Sequence, residues 1–131
     1  MVTKIGLVGC GTVGRGLLEL LDKRAGYIAE KYGVSFKLIF ATDVMRGTAF
    51  SPDGLDPRAL LGALAGKGGI DGMSSGESRS SGLADLLRDS GLDILCEAAP
   101  TNYKTGEPGM SILSAALSAG VSAVTSSKGA L

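Results

Sequence analysis

The chain has no histidine, and its two cysteines, Cys10 and Cys96, lie far apart in the sequence. The usual ligands of a transition-metal site and the usual acid/base group at neutral pH are therefore missing, and no metal site is expected. Cys10 and Cys96 are expected to be two reduced, partly buried thiols rather than a redox pair, although the strands that carry them can be neighbours in a parallel sheet. A surplus of charge is also missing: 13 Lys and Arg balance 13 Asp and Glu, and no block of like charge stands out. Neither nucleic acid nor an anionic membrane is an expected partner. Long apolar runs are absent as well. The N-terminal hydrophobic residues carry one lysine, Lys4, and are broken by Gly6 and Gly9. That pattern fits neither a signal peptide nor a spanning helix, so a cytoplasmic location is expected.

Glycine is what the chain has in quantity, 21 of 131 residues. This length fits one domain, residues 1 to 131, which buries about two-thirds of its unfolded surface without staples. The most informative glycines follow Val2, Ile5, Leu7 and Val8, which read as a buried strand. The strand runs directly into Gly9-Cys10-Gly11-Thr12-Val13-Gly14. Val13, Leu17, Leu21, Ala25 and Ile28 then follow steps of four or three, so they form one stripe of a single helix behind the turn. Glycine patterns occur by chance in so glycine-rich a chain, but the flanking strand and helix make this one a dinucleotide-binding turn. Gly9 would permit the tight turn, Gly11 the approach of backbone to a pyrophosphate, and Gly14 close packing of helix on strand. Thr12 and Val13 complete the turn, where free N–H groups at the helix start suit an anion.

A second signal repeats three times: a helical stretch, a glycine, then an apolar strand. It appears at Gly33 before Val34 to Ala41, at Gly91 before Leu92 to Ala98, and at Gly120 before Val121 to Thr125. Glycine just past a helix supplies the left-handed residue that ends it, and apolar runs without alternation suit strands covered on both faces. Leu83, Leu86 and Leu87 mark the helix before Gly91. Met110, Leu113 and Leu117 mark the one before Gly120, with Pro108 in its first turn. Ser51-Pro52-Asp53-Gly54 is turn chemistry, and Asp56-Pro57 opens a short helix through Leu64. The Gly- and Ser-rich stretch from Gly66 to Gly82 reads as a mobile surface loop in place of a clear third strand. The expected fold is α/β, a Rossmann-type doubly wound and mainly parallel sheet with helices on both faces.

Cofactor choice is expected at the end of the second strand. An acidic residue about twenty or more positions past the glycines commonly accepts hydrogen bonds from the adenosine ribose and favours NAD, and Asp43 is so placed. Arg46 in the same turn can hold the extra phosphate of NADP. The choice between NAD and NADP leans to NAD and stays open. An alternative for Asp43 is a solvated turn in which it binds nearby backbone.

The second half of the chain adds Glu97-Ala98-Ala99-Pro100-Thr101-Asn102, Thr105-Gly106-Glu107-Pro108 and Thr125-Ser126-Ser127-Lys128-Gly129-Ala130-Leu131. Together with Gly11-Thr12-Val13-Gly14-Arg15-Gly16-Leu17-Leu18, these segments resemble the N-terminal nucleotide-binding half of homoserine dehydrogenases along nearly the whole chain. Ser127 stands where that family usually has Asn, and Ala130 where it often has Pro. The resemblance implies NAD(P)-dependent interconversion of aspartate 4-semialdehyde and homoserine, a step towards threonine and methionine. It implies that Lys128 lies near nicotinamide and substrate as the catalytic lysine, and that Ala99, Pro100, Thr101 and Asn102 help to bind the cofactor. Thr101 and Asn102 would touch the nicotinamide ribose. It further implies a substrate and dimerisation domain downstream of Leu131, and an intact protein that is a homo-oligomer. The rival expectation is a stand-alone nucleotide sensor, like the small Rossmann domains that regulate potassium transport; such sensors do not call for Pro-Thr-Asn followed by a lysine after the fifth strand. A third is a different amino-acid or sugar dehydrogenase of similar architecture.

Overall fold

A computed structural model describes residues 1–75 and 82–130. Five strands form one sheet: β1 (Val2–Val8), β2 (Ser35–Asp43), β3 (Gly47–Phe50), β4 (Ile94–Glu97) and β5 (Ser122–Thr125). Their order is β3-β2-β1-β4-β5. β1 runs parallel to β2 and β4, and β4 parallel to β5, while β3 is antiparallel to β2. The helices are α1 (Thr12–Lys23), α2 (Ala25–Tyr32), α3 (Pro57–Ala65), α4 (Leu83–Ser90) and α5 (Gly109–Ser118).

The sheet separates two apolar layers. Leu18 of α1 and Leu60 and Leu64 of α3 pack on one side with Ile5, Leu7 and Leu38. Leu86 and Leu87 of α4 and Ile112 and Ala116 of α5 pack on the other with Ile39, Phe40 and Leu95. In an unbroken strand, neighbouring residues face opposite ways. Here the β1–β2 register shifts between Ile5 and Gly6, so that Ile5 pairs with Leu38 and Gly6 with Phe40. The extra residue on β2 lets the consecutive Ile39 and Phe40 both enter the α4/α5 layer, while Leu38 and Ala41 on either side enter the other.

The three glycines after helices behave as the sequence indicates, with left-handed φ of 66° at Gly33, 60° at Gly91 and 75° at Gly120. Asp56 caps α3 by accepting the Arg58 N–H at 3.0 Å, and Pro57 opens the helix. Gly54 closes the Ser51 turn with its N–H on the Ser51 carbonyl at 3.1 Å.

Three expectations need correction. The helix behind the glycine turn is not continuous: Arg24, at φ −114° and ψ 4°, ends α1 and begins α2. Its buried residues are Gly14 and Leu18, flanked by half-buried Leu17 and Leu21, whereas Val13 is 57% exposed and belongs to the cavity described below. In α5 the buried face is Ile112 and Ala116. Met110 and Leu117 point outward, because small Gly109 and Ala116 lie on the side that approaches the sheet. Finally, a strand not expected from the sequence lies just upstream of the Ser51 turn, while the described part of the stretch from Gly66 to Gly82 holds none. β3 was hidden by its brevity and its opening glycine, and it folds back on β2 through the turn at Val44–Arg46. The segment after α3, expected to be a mobile loop, packs over β3. Ile70 is fully buried, the Asp71 carboxylate accepts the Thr48 N–H at 2.9 Å, and the Ser75 N–H reaches the Phe50 carbonyl at 2.9 Å. Residues 76–81 of that expected loop lie outside the described residues.

Candidate functional site: the furrow at the strand ends

β1 connects onward to β2 on one side while β4 flanks it on the other, so the strand order reverses around β1. In open α/β sheets the crevice beyond the strands' C-terminal ends at such a point is where ligands gather. The glycine turn sits there. Gly9 adopts φ 102°, and a Cβ on it would lie 2.5 Å from the Ala98 carbonyl, so the turn passes directly against the end of β4. A Cβ on Gly14 would meet the Gly9 oxygen at 1.9 Å, which fixes the start of α1 onto the turn. A Cβ on Gly11 would meet nothing within 4 Å. Gly11 is also the N-cap of α1 and offers no side chain to cap it. The N–H groups of Gly11, Thr12 and Val13 find no acceptor among the described residues, and these three residues line an open cavity. Unpaired N–H groups at the positive end of a helix form a ready anion site.

Two cavities flank the turn. The first, about 630 Å³, is mainly apolar and lies between Gly9, the β2 end at Thr42 and Asp43, Leu83 and Leu86 of α4, and Ile112 of α5. The second, about 320 Å³, is bounded by Gly11 to Val13, by Ala98 to Thr101 and by Ser126 to Gly129. Asp43, Ala99 and Pro100 line both, so the two form one furrow bent around the turn. Lys128 lines the second cavity, and its side chain is exposed. Leu83 and Leu86, which the sequence shows only as markers of a helix, and Ile112 thus line a cavity as well as packing beneath it, and a helical stripe gives no sign of this.

Asp43 ends β2, and its carboxylate ties the furrow together. Oδ2 accepts the Cys10 N–H at 2.8 Å, and Oδ1 accepts the N–H groups of Met45 at 2.8 Å and Arg46 at 3.2 Å. The bonds to its own turn match the alternative reading of this residue, and the bond to Cys10 adds a link across to the glycine turn. Arg46 stands apart from the other candidates. Its guanidinium turns away from both cavities and donates to the carbonyls of Gly68 (2.9 Å), Leu64 (3.0 Å) and Gly66. Arg46, expected to hold a phosphate, is placed away from the furrow and satisfies carbonyls at and just after the C-terminal end of α3, groups that a helix end leaves unpaired.

Ala99, Pro100 and Thr101 line the furrow, but Asn102 does not line either of its two cavities. The Asn102 Oδ1 accepts the N–H groups of Lys104 at 2.8 Å and Thr105 at 3.3 Å, which holds the following loop in shape. One more polar residue belongs to this region. Glu97, 1% exposed, accepts hydrogen bonds from the Ala99 N–H at 2.8 Å, the Ser127 hydroxyl at 2.9 Å and the Thr125 hydroxyl. The available signal was an acidic side chain inside an otherwise apolar strand covered on both faces.

Cys10 is buried and Cys96 half-buried; both are free thiols packed on the same apolar layer. Burial, with the Asp43 carboxylate second, pushes the Cys10 thiol up to about 11, and burial raises Cys96 as well. Both stay protonated at neutral pH, a form that is neither a nucleophile nor a metal ligand.

The sheet order, the glycine turn on β1 and the furrow at the strand ends define a Rossmann-type nucleotide-binding domain. In sequence the chain is similar to homoserine dehydrogenases. It is 34% identical over 126 residues to the NAD(+)-dependent homoserine dehydrogenase of Pseudomonas canavaninivorans, and 27% identical over 125 residues to the homoserine dehydrogenase of Methanocaldococcus jannaschii. These matches cover 96% and 95% of this chain but 36% of each relative, so the chain spans about a third of their length. A solved hyperthermophilic archaeal homoserine dehydrogenase in complex with NADPH superposes on it with a TM-score of 0.71 at 26% identity, covering 98% of this chain and 37% of that one. No family model matches the chain.

Proposed function

We propose that this chain is the dinucleotide-binding portion of a homoserine dehydrogenase, holding NAD or NADP along the bent furrow. The observation that carries the reading is the match of 96% of the chain to an NAD(+)-dependent member of that group. The furrow's geometry agrees with it. The free N–H groups at the start of α1 would take the pyrophosphate, the larger apolar cavity the adenine, and the smaller cavity beside Lys128 the nicotinamide. A bound nicotinamide would supply hydride chemistry at the carbonyl carbon of aspartate 4-semialdehyde. Reduction to homoserine then needs a proton on the carbonyl oxygen. The Lys128 ammonium, at the cavity wall, would polarise that oxygen and supply or relay the proton. The groups that bind the amino acid's own charges, and the surface that joins subunits, would come from a downstream substrate domain. The reaction lies on the way to threonine and methionine, and the chain would work in the cytoplasm.

The placement of Asp43 and Arg46 gives a direct test by calorimetric titration with NADH and NADPH. Asp43→Ala is expected to weaken NADH by about tenfold and NADPH by less, since a carboxylate near the ribose repels an added phosphate. Loosening of the turn would weaken both alike, so the ratio is the informative quantity. Arg46→Ala is expected to leave the ratio unchanged and to lower the melting midpoint by about 5 °C through loss of its carbonyl contacts. An unchanged ratio in Asp43→Ala would remove the carboxylate from cofactor choice, and a shifted ratio in Arg46→Ala would show that the arginine swings out to the phosphate.

A further inference from the structure

We infer that Glu97 is a positioning residue for the nicotinamide side of the furrow, acting through Ser127 on Lys128; this rests on the dinucleotide reading above. A carboxylate with 1% exposure has given up its water, and among the described residues it has no cation in exchange. What it has is a set of donors from two separate segments. Its Oε1 accepts from the Ala99 N–H and the Ser127 hydroxyl, and its Oε2 from the Thr125 hydroxyl. The Thr125 oxygen in turn accepts the Ser127 N–H at 2.9 Å, and the Ser127 hydroxyl also lies 3.0 Å from the Ala99 carbonyl. Around the same strand end, the Ser126 N–H donates to the Glu97 carbonyl at 3.0 Å, extending the β4–β5 pairing past Thr125.

These bonds close a ring joining Ala99 to Ser127, and those two residues belong to the two segments that wall the second cavity. Lys128 is the next residue after Ser127. An apolar side chain in place of the carboxylate would take the acceptor from the Ala99 N–H and the Thr125 hydroxyl, and would leave the Ser127 hydroxyl only the Ala99 carbonyl. Core packing alone does not need such an acceptor; holding two cavity walls at a fixed spacing does. A fully satisfied buried network of this kind rigidifies the site around it. Glu97 therefore sets the width of the nicotinamide cavity and the origin of the Lys128 side chain, without touching either ligand or substrate.

The test compares NADH with ADP-ribose, which keeps the adenine, both riboses and the pyrophosphate but lacks nicotinamide. Affinities of the chain for both are measured by calorimetry for wild type, Glu97→Leu, Glu97→Gln and Ser127→Ala. Wild type is expected to bind NADH more tightly than ADP-ribose. Glu97→Leu should weaken NADH by about tenfold or more and ADP-ribose by less than about twofold. Glu97→Gln should return NADH to within about threefold of wild type, since its carbonyl oxygen can still accept from Ala99 and Ser127. Ser127→Ala, which keeps the carboxylate, should show the same split at smaller size and decides the matter if the leucine variant does not fold. Equal losses for both ligands, or equal wild-type affinities for them, would overturn the positioning role while leaving dinucleotide binding intact. Failure of wild type to bind either ligand would overturn the functional reading and the inference with it.

Discussion

Gly14→Ala is expected to lower the thermal midpoint by about 10 °C or more, because the added methyl group would collide with backbone and not with a side chain able to turn aside. The carbon would sit 1.9 Å from the Gly9 oxygen, and Gly9 is itself held in place by its N–H on the Thr42 carbonyl at 2.8 Å. Relief therefore requires α1 to lift off the turn, which also withdraws Leu18 from the core and the helix N–H groups from the furrow. Gly11→Val, three residues away, is the matched control. Its side chain would enter open space, and the Gly11 backbone at φ −79° suits any residue, so its midpoint should stay within about 3 °C of wild type. Melting followed by far-UV circular dichroism separates the two. Equal midpoints for Gly14→Ala and wild type would mean that the turn and the helix are not in contact as described.

Replacing Lys128 with alanine is expected to have the largest effect on chemistry. In a polypeptide where this chain continues into a substrate domain, Lys128→Ala should lower kcat by about 10²-fold or more, the usual scale for a positioned acid/base group. The NADH dissociation constant should move by less than about threefold, because the lysine is exposed at the rim while the N–H groups of α1 would carry the pyrophosphate. Residues 1 to 131 by themselves should show no turnover of homoserine, for want of groups to orient the substrate. Steady-state rates and a parallel binding titration check both statements. Full activity of the alanine variant would reduce Lys128 to an exposed residue beside the site, and turnover by the chain alone would place the whole machinery within it.

Much of the architecture was legible because backbone requirements leave marks in sequence. Gly9, Gly11 and Gly14 announce a turn against β4 and α1, and Gly33, Gly91 and Gly120 mark helix ends by the left-handed conformation they supply. What stayed hidden depended on tertiary partners. β3 is four residues long and is recognised by its pairing with β2 and by Asp71 from the segment beyond α3, neither of which is local. The register shift that sends Ile39 and Phe40 to the same layer cannot be read from an apolar run without alternation. Among the candidate site residues, Asp43 and Lys128 line the furrow. Arg46 and Asn102 do not, since an arginine or asparagine in a turn binds whichever acceptors or donors the fold brings near, here carbonyls after α3 and N–H groups of the next loop. Glu97 shows the opposite case, a residue whose role emerges only once β5 lies beside β4 and presents Thr125 and Ser127.

The central claim is that the uncapped start of α1 and the flanking furrow hold a dinucleotide pyrophosphate, and calorimetric titration of wild type and Gly11→Val with NADH tests it most directly. Wild type should bind at a single site, and the folded Gly11→Val protein should bind about tenfold more weakly or not at all, because its side chain fills the space over the N–H groups. Equal binding by the two proteins, or no binding by wild type, would contradict the account.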